Sequence, residues 1–251
     1  MDPITLGSLA FVAMLALIAL HVPIGIAMAT CGVGGFWIMT GNPAAARVYR
    51  RCGWLRLPNS RVMALITTGR SPEEYEVDYF REPGSFEIVK GTPADRVPMI
   101  PLILTPHRWH VMDANAGILS RREAGQRACM GLYPRYGKLC SSDSGTWFSA
   151  RTDQNLLVGL ATARMIPGGI ECRVDGFTHH NCRSAWPALM EAAVGWAADR
   201  DADVCVGSVC VEDEEKRQAL VRIGFKEDGP SSEDFDLDDH RAGAVRVVKR
   251  L

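Results

Sequence analysis

The chain has 251 residues, of which 47% are hydrophobic and 23% are charged, and its formal net charge is −1. Its length allows one full domain plus a smaller unit, and a near-neutral charge without a basic stripe excludes a nucleic-acid-binding protein. Its eight cysteines show no spacing typical of a small disulfide-rich protein, so we expect reduced thiols in a cytoplasmic domain.

The N-terminal region differs in kind from the rest of the chain. Residues 3–46 contain no Asp, Glu, Lys or Arg, and the arginines that follow, beginning with Arg47, give the region a basic flank. Pro23 and Gly25 divide the apolar run into two segments, each slightly shorter than the ~20 residues of a perpendicular membrane span. The pattern predicts an apolar helical hairpin over residues 1–40, in preference to a secretory signal, which would begin with basic residues.

This hairpin predicts membrane association through residues 4–39, with the basic flank on the cytoplasmic side. We therefore expect a cytoplasmic domain that the hairpin tethers to the inner membrane. The motifs HVPIG and TGNPAAA, within about the first 45 residues, resemble the first two membrane segments of the large permease subunit of tripartite ATP-independent periplasmic transporters. Such permeases need many spans to build a substrate site, so the resemblance implies an anchor and not transport by this chain.

Residues 41–83 begin with a short helical pattern. NPAAARVYRRCGW predicts a helix with Asn42 as N-cap, Pro43 at the first helical position and Gly53 as the stop, followed by a strand, a turn and a polar linker. The order of Asn, Ala, Tyr, Gly and an aromatic residue resembles the last helix and turn of a GNAT-type acetyltransferase. The resemblance implies that residues 41–83 are a remnant of the C-terminal part of a GNAT unit plus a linker.

A complete α/β unit is predicted over residues 84–251. Its elements, in chain order, are a strand and a helix over 85–104 in which the helix starts at Thr92 and Pro93, a helical stretch over 105–136, strands over 145–151 and 155–166, a turn at 167–169, a strand over 170–179, a helix over 184–202, a strand over 203–211 and a helix over 212–225 that ends at Gly224. The helix over 184–202 has the clearest pattern, because its apolar residues recur at intervals of three and four: Trp186, Leu189, Met190, Ala193, Val194 and Ala197.

The order strand, loop, helix, strand, helix over residues 170–225 resembles the core of the GNAT fold, and FEIVKGTPADRVPMIPLI matches the opening of that fold. The resemblance implies a mixed α/β protein with the GNAT-type acyl-CoA N-acyltransferase fold, preceded by the N-terminal hairpin. In that family two parallel strands splay apart, the pantetheine arm of acetyl-CoA lies in the gap, and the pyrophosphate contacts backbone amides at the next helix start. The resemblance also implies that the protein is an acetyl-CoA-dependent N-acyltransferase acting on a primary amine of a small molecule or peptide.

The loop after the strand over 170–179 is where the resemblance places the acetyl-CoA contacts. The residues that it implies are Phe177, Thr178, Asn181, Arg183, Ser184 and Ala185. The loop lacks the two glycines of the family pattern, which let phosphate approach the backbone, although Arg183 can contact a phosphate directly. Leu220 stands where many members carry a Tyr that protonates the thiolate, whereas the remnant retains Tyr49. Two alternatives therefore stay open: a catalytically impaired GNAT-fold binding module, or a membrane-anchored fragment related to a transporter permease.

Two carboxylates on the strand over 170–179 are the candidate catalytic bases. Strand alternation places Glu171 and Asp175 on one face with Arg173 and Phe177. If that face lines the acceptor cleft, a carboxylate there can take a proton from an amine, directly or through water. The alternative for both is an ion pair with Arg173 at the sheet surface.

Acceptor binding is assigned to a polar and aromatic cluster near the start of the unit. His107, Trp109, His110 and Asp113 lie where GNAT enzymes place acceptor-binding helices, and they can shape the substrate site. The alternative is that they are half-buried packing residues, each with one satisfied hydrogen bond.

A metal site is a further hypothesis, because Cys172, His179, His180 and Cys182 fall within one short window. Their spacing is not that of a zinc finger or ribbon, and no second CxxC pair completes it, so we expect no metal.

Overall fold

The computed structural model describes residues 35–39, 43–56, 62–66, 69–82, 84–96, 98–105, 107–118, 133–141, 143–237 and 239–251. The chain divides into two compact units, Met1–Tyr75 and Glu76–Leu251. The predicted division into 1–40, 41–83 and 84–251 stays a prediction.

The first unit contains a small antiparallel sheet. Its elements are strand β1 (Gly35–Met39), helix α1 (Pro43–Arg51), strand β2 (Leu55–Arg56) and strand β3 (Val62–Ile66), and the strand order is β1-β3-β2. Helix α1 starts at Pro43 and ends before Gly53, as predicted. Gly53 has a φ of +84°, the left-handed conformation that stops a helix and that glycine adopts without strain. The predicted N-cap, Asn42, lies outside the described residues.

The helical prediction for residues 1–40 is wrong where the structure describes that segment. Residues Gly35–Met39 form strand β1, paired with β3 from Gly35 opposite Ile66 to Met39 opposite Val62. Aromatic and β-branched residues dominate GFWIM, and such residues favour a strand when a partner strand is present. Residues 1–34, and with them most of the predicted membrane association and tether, lie outside the described residues. No helix that the structure describes has both the length and the apolar composition needed to cross a bilayer.

The second unit begins at Glu76, within helix α2 (Pro72–Tyr79). Its elements are β4 (Glu87–Lys90), a 3₁₀ helix (Pro93–Arg96), α3 (Met99–Leu104), α4 (Tyr133–Ser141), β5 (Gly145–Arg151), β6 (Leu157–Met165), β7 (Glu171–Thr178), a second 3₁₀ helix (His180–Ala185), α5 (Trp186–Ala198), β8 (Val204–Cys210), α6 (Glu214–Arg222), β9 (Lys226–Asp236) and β10 (Arg241–Arg250).

These strands form one seven-stranded sheet in the order β4-β5-β6-β7-β8-β10-β9. Neighbouring strands are antiparallel, apart from the parallel pair β7 and β8. Helix α5 packs on β5, β6 and β7, and the six apolar residues predicted to face the core are all buried. The predicted mixed α/β architecture is confirmed for this unit.

The predicted helix over 105–136 is wrong for residues 107–118. This segment is non-helical and ends in a tight turn, in which the Ile118 amide donates to the Asp113 carbonyl at 2.8 Å. Carboxylates from distant elements accept hydrogen bonds from its backbone amides, which offers the backbone an alternative to a helix. Residues 119–132 lie outside the described residues, and the helix that follows is α4. The helix predicted to start at Pro93 does start there, but as a 3₁₀ turn followed by α3.

Candidate functional site

The parallel strands β7 and β8 pair only at their beginnings. Glu171, Cys172 and Arg173 lie opposite Val204, Cys205 and Val206, and no ladder pair follows. Beyond Arg173 strand β7 is therefore no longer paired with β8, which leaves an opening at the carboxyl ends of the two strands. This is the divergence that the sequence resemblance implies, and we call the opening the gap.

A segment of the same chain bridges the two sides of the gap. The amides of His110 and Val111 donate to the Asp213 carboxylate at the start of α6, at 2.8 and 3.2 Å. The amide of Ala114 donates to Asp175 of β7 at 2.7 Å. Residues 107–114 are thus hydrogen-bonded both to β7 and to the helix that follows β8, and we call them the bridging segment.

The bridging segment leaves little free space at the mouth of the gap. The cavity there has a volume of about 10 Å³, enough for one water molecule. It is lined by His107, Arg108, Trp109, Met112, Phe177, Thr178, His180 and Arg183. Two buried polar atoms in this lining, the Trp109 indole nitrogen and the Thr178 hydroxyl, have no hydrogen-bond partner among the residues that the structure describes. The arrangement therefore leaves polar groups desolvated without compensation.

A buried lysine lies beside this segment. The Lys216 side chain is 1% exposed, and its Nζ lies 2.6 Å from Asp175 Oδ1. The same Nζ donates to the carbonyls of Val111 and Met112, at 3.0 and 3.1 Å, and lies 5.4 Å from the centroid of the Trp109 ring. Lys216 therefore neutralises the predicted base Asp175 and also holds the bridging segment.

A second buried carboxylate, Asp113, lies in the same network. Its oxygens accept hydrogen bonds from the Thr162 hydroxyl at 2.9 Å, the Ala116 amide at 3.1 Å and the Tyr136 hydroxyl at 3.3 Å. Burial, followed by the negative charge of Asp175, raises the pKa of Asp113 to about 7. A carboxyl with this pKa exchanges a proton near neutral pH, which suits a general base.

The residues predicted to contact the pyrophosphate already have protein partners. Arg183 forms an ion pair with Glu215 in the first turn of α6, and the Ser184 hydroxyl donates to Glu82 at 2.5 Å. The Asn181 amide donates to Nδ1 of His179 at 3.2 Å. The Arg183 pair joins the loop after β7 to the helix after β8, so it spans the mouth of the gap.

The other predicted acetyl-CoA residues line or support this mouth. The Phe177 ring meets His107 edge-to-face at 5.1 Å between centroids, and Thr178 lines the small cavity. Ala185 is buried at the start of α5. The structure thus places the predicted residues around the gap, and their roles in binding stay predictions.

The four predicted acceptor residues take three different positions. His107 and Trp109 line the small cavity, with His107 Nε2 2.6 Å from the Leu102 carbonyl oxygen and Trp109 packed edge-on against Trp186 at 5.6 Å. Asp113 lies in the buried network, whereas His110 is exposed, 3.7 Å from Glu212. The bridging segment therefore brings three of them to the gap.

The two predicted bases are not equivalent. Asp175 lies where β7 leaves β8 and is 5% exposed, whereas Glu171 lies at the paired end of the strand, about 13 Å away by strand rise. Glu171 pairs with Arg246 at 2.9 Å, and Arg173, the partner considered for both carboxylates, pairs with Glu233. Asp175 is therefore the one of the two that the structure places at the gap.

The cysteines and histidines of the window 172–182 do not assemble. Cys172 is buried at the start of β7, whereas the Cys182 thiol faces the Phe80 carbonyl at 3.7 Å. Burial raises the pKa of these thiols to about 11 and 12, and burial lowers the pKa of His179 to about 2. In the described parts of the chain, no three His, Cys, Asp or Glu side chains come together to hold a metal ion.

Sequence reasoning missed three members of the buried network: Lys216, Tyr136 and Thr162. Lys216 belongs to the charged run EDEEKRQ, whose pattern indicates a solvated helix face. No sequence signal marks Tyr136 or Thr162, because each becomes relevant only through contact with Asp113.

Comparison with known proteins identifies the fold. No protein-family model matches the sequence, and no curated protein matches it. Among solved structures, the chain is similar to a Vibrio cholerae spermidine N-acetyltransferase SpeG chimera with hSSAT, at 15% identity, a TM-score of 0.53 and coverage of 66% of this chain and 95% of that one. A point mutant of the Vibrio cholerae enzyme gives 15% identity, a TM-score of 0.50 and coverage of 66% and 93%.

A probable acetyltransferase from Staphylococcus epidermidis is similar at 13% identity, with a TM-score of 0.53 and coverage of 66% of this chain and 99% of that one. These neighbours are named as acetyltransferases, and the mixed α/β fold with its central sheet matches the GNAT acetyltransferase fold. None of the comparisons supports the predicted likeness of the N-terminal residues to a transporter permease.

Proposed function

We propose that the protein is an acetyl-CoA-dependent N-acetyltransferase that acts on a primary amine of a small molecule or peptide. The divergence of β7 and β8 within a GNAT fold is the observation that carries the proposal. Of the three structural neighbours described above, two are named as spermidine N-acetyltransferases and the third as a probable acetyltransferase, which supports the reaction class.

In the proposed reaction the amine nitrogen attacks the thioester carbonyl carbon. A C–N bond forms, the C–S bond breaks, the amine loses a proton and the departing thiolate gains one. Asp113 is the better candidate to receive the amine proton, because burial raises its pKa to about 7. Asp175 is paired with Lys216 and positions that positive charge beside the point where the strands part. Glu171 forms an ion pair with Arg246 at the paired end of β7, so it is the weaker candidate for the base.

Acetyl-CoA can enter only if the bridging segment moves. A volume of about 10 Å³ does not admit a pantetheine arm. The unpartnered Trp109 and Thr178 groups each cost about 1–3 kcal/mol in the closed arrangement. A ligand rich in amide and hydroxyl groups can satisfy them, so the same atoms that weaken the closed arrangement favour an occupied one.

The filled gap also supports a second candidate, a GNAT-fold module that binds acyl-CoA or a partner without turnover. Two features of the sequence agree with this candidate. The loop after β7 lacks the glycines of the family pattern, and Leu220 stands where many members carry the Tyr that protonates the thiolate. The two candidates differ in whether the amine and acetyl-CoA react.

Calorimetric titration of acetyl-CoA and free CoA into the full chain tests the proposal. We expect binding tighter than ~0.1 mM, about −5.5 kcal/mol. A thiol-detecting assay with a panel of primary amines then separates the candidates, because only the enzyme releases free CoA thiol in proportion to amine acetylated. Binding without thiol release supports the second candidate, and the absence of binding heat contradicts the enzymatic proposal.

A further inference from the structure

A second, larger cavity lies at the other end of strand β7. It has a volume of about 750 Å³, in the range of small-molecule sites. The turn Ala114–Gly117, helix α4 and the end of β6 form its walls. Its described lining residues are Ala114, Asn115, Ala116, Gly117, Arg135, Lys138, Leu139, Ser144, Arg164, Met165 and Pro167. We call it the basic pocket.

The charged residues that the structure describes in the lining of the basic pocket are all cationic. Three of its lining residues are cationic, namely Arg135 and Lys138 of α4 and Arg164 of β6, and no Asp or Glu occurs among the lining residues that the structure describes. Like charges repel across a binding surface, so this lining disfavours a polycationic ligand and favours an anionic one.

The arginine of α4 is held in place by the turn. The Arg135 guanidinium donates to the carbonyls of Ala116 and Gly117, at 2.9 and 2.5 Å. Gly117 has a φ of +64°, and a Cβ at this residue would lie 2.8 Å from Arg135 Nη1. The left-handed backbone of this turn therefore favours glycine, and a Cβ here would shift the guanidinium from its present position. A preorganised arginine is a good partner for a carboxylate.

The basic pocket adjoins the buried carboxylates but lies far from the loop after β7. Its wall residue Ala114 donates its amide to Asp175, and Asn115 donates to the Thr162 hydroxyl at 3.1 Å, which in turn donates to Asp113. Met165 of the pocket lies opposite Cys172, and Cys172 is six residues, or about 20 Å, before Thr178. A ligand in the pocket and a phosphate near residues 180–185 would thus approach the buried carboxylates from opposite ends of β7.

We infer that the basic pocket binds the acceptor through a carboxylate, so that the substrate class is an amine that also carries one or more carboxylates, such as an acidic amino acid or an acidic peptide terminus. This inference rests on the proposed function, because it names the acceptor of that reaction. Arg164, Arg135 and Lys138 would hold the carboxylate, while the amine end points along β7 toward Asp113 and Asp175.

Calorimetry on the full chain with glutamate, aspartate and spermidine tests the inference without turnover. We expect glutamate or aspartate to bind with a Kd below ~10 mM and spermidine to give no heat. The Arg164→Glu substitution should weaken the acidic ligands at least ~10-fold, whereas Arg222→Glu, the same charge change at an exposed residue of α6, should leave them unchanged.

The outcomes separate this inference from the proposed function. If acetyl-CoA binds normally but spermidine is bound in preference to both acidic ligands, or Arg164→Glu leaves them unaffected, the acceptor class is wrong. If free CoA displaces glutamate, the pocket is a CoA phosphate site and the inference is also wrong. If glutamate binds but acetyl-CoA does not, the pocket stands as an anion site and the transferase proposal fails.

Discussion

At the scale of single residues, Lys216 connects strand β7 to the bridging segment. Its Nζ pairs with Asp175 and donates to two carbonyls of the bridging segment, and both members of the pair are buried. Lys216→Met leaves a buried carboxylate without its partner, so we expect a loss of about 3–5 kcal/mol in the free energy of unfolding. Urea denaturation followed by circular dichroism measures this loss.

Lys249→Met provides the matched control. Its Nζ donates to one carbonyl, that of Ile223 at 2.9 Å, in a part-buried position. Because a single hydrogen bond is worth about 1 kcal/mol, the control should lose far less stability. Equal losses in the two variants would show that Lys216 contributes no more than an ordinary hydrogen bond.

A double variant tests the ion pair itself. Lys216→Met combined with Asp175→Asn should lose less free energy of unfolding than the two single variants lose together.

The buried Asp113 gives stability a pH dependence of defined sign. Burial and the charge of Asp175 raise its pKa in the folded chain to about 7, above the value of 3.8 for an ordinary Asp. The unfolded chain therefore gives up this proton first as pH rises, and the native state loses stability between about pH 4 and pH 7, by at most ~1.4 kcal/mol per pH unit. Asp113→Asn should remove this loss.

Chemical denaturation of wild type and Asp113→Asn at a series of pH values between 4 and 8 measures the effect. We expect the stability of the variant relative to wild type to rise as pH increases to 7 and to level off above it. Asp199→Asn, at an exposed residue after α5, serves as the control. A constant difference between wild type and Asp113→Asn across this range would contradict the raised pKa of Asp113.

At the scale of elements, sequence patterns predict the positions of those strands and helices whose local conformational preference agrees with their tertiary contacts. Strands β5, β6, β7 and β8 and helices α5 and α6 follow apolar periodicity, so their positions were predicted. The conformation of the bridging segment was not predicted, because it depends on Asp175 and Asp213, which lie about 60 and 100 residues away along the chain. Strand β1 was missed because apolar composition favoured a membrane helix, whereas its pairing with β3 determines its structure.

The mouth of the gap supports a test of Arg183 as a phosphate ligand. Arg183 forms an ion pair with Glu215 of α6, so its guanidinium is shared with a carboxylate before any ligand arrives. Glu215→Gln removes this competition, and we expect acetyl-CoA to bind about two- to five-fold more tightly, the amount that a partly exposed ion pair is worth. Calorimetry with the full chain gives the dissociation constant.

The adjacent residue supplies the control for this substitution. Glu214 lies in the same helical turn but pairs with Arg217 of its own helix, at 3.0 Å. Glu214→Gln changes the net charge by the same amount, so it should leave acetyl-CoA affinity unchanged. If both variants tighten binding equally, the effect belongs to overall charge and not to Arg183.

At the scale of the whole molecule, the two units share a topology. The C-terminal part of the second unit runs β8, α6, β9, β10 with strand order β8-β10-β9, and the first unit runs β1, α1, β2, β3 with strand order β1-β3-β2. Gly224, with a φ of +94°, follows α6 as Gly53 follows α1. The described elements of the first unit thus repeat the order and pairing of the last four elements of the second unit.

The division between the units determines where the chain can be shortened. Helix α2 begins with a capping box, in which the Ser71 amide donates to Glu74 at 2.9 Å and the Glu74 amide donates to the Ser71 hydroxyl at 3.2 Å. Phe80, one residue after α2, is fully buried and stacks on His179 at 3.9 Å between ring centroids. A chain that starts at Arg70 keeps both features, whereas a chain that starts at Gly84, the predicted boundary, loses them.

We expect the chain from Arg70 to fold cooperatively and to bind acetyl-CoA within about two-fold of the full chain. The chain from Gly84 should be less stable by about 3–5 kcal/mol, because removal of Phe80 exposes the apolar surface that it covers around His179. Thermal and urea unfolding of the two chains measure the difference, and Phe80→Ala in the longer chain should reproduce most of it. Equal stability of the two shortened chains would show that α2 and Phe80 contribute nothing to the second unit and would favour a boundary at residue 84.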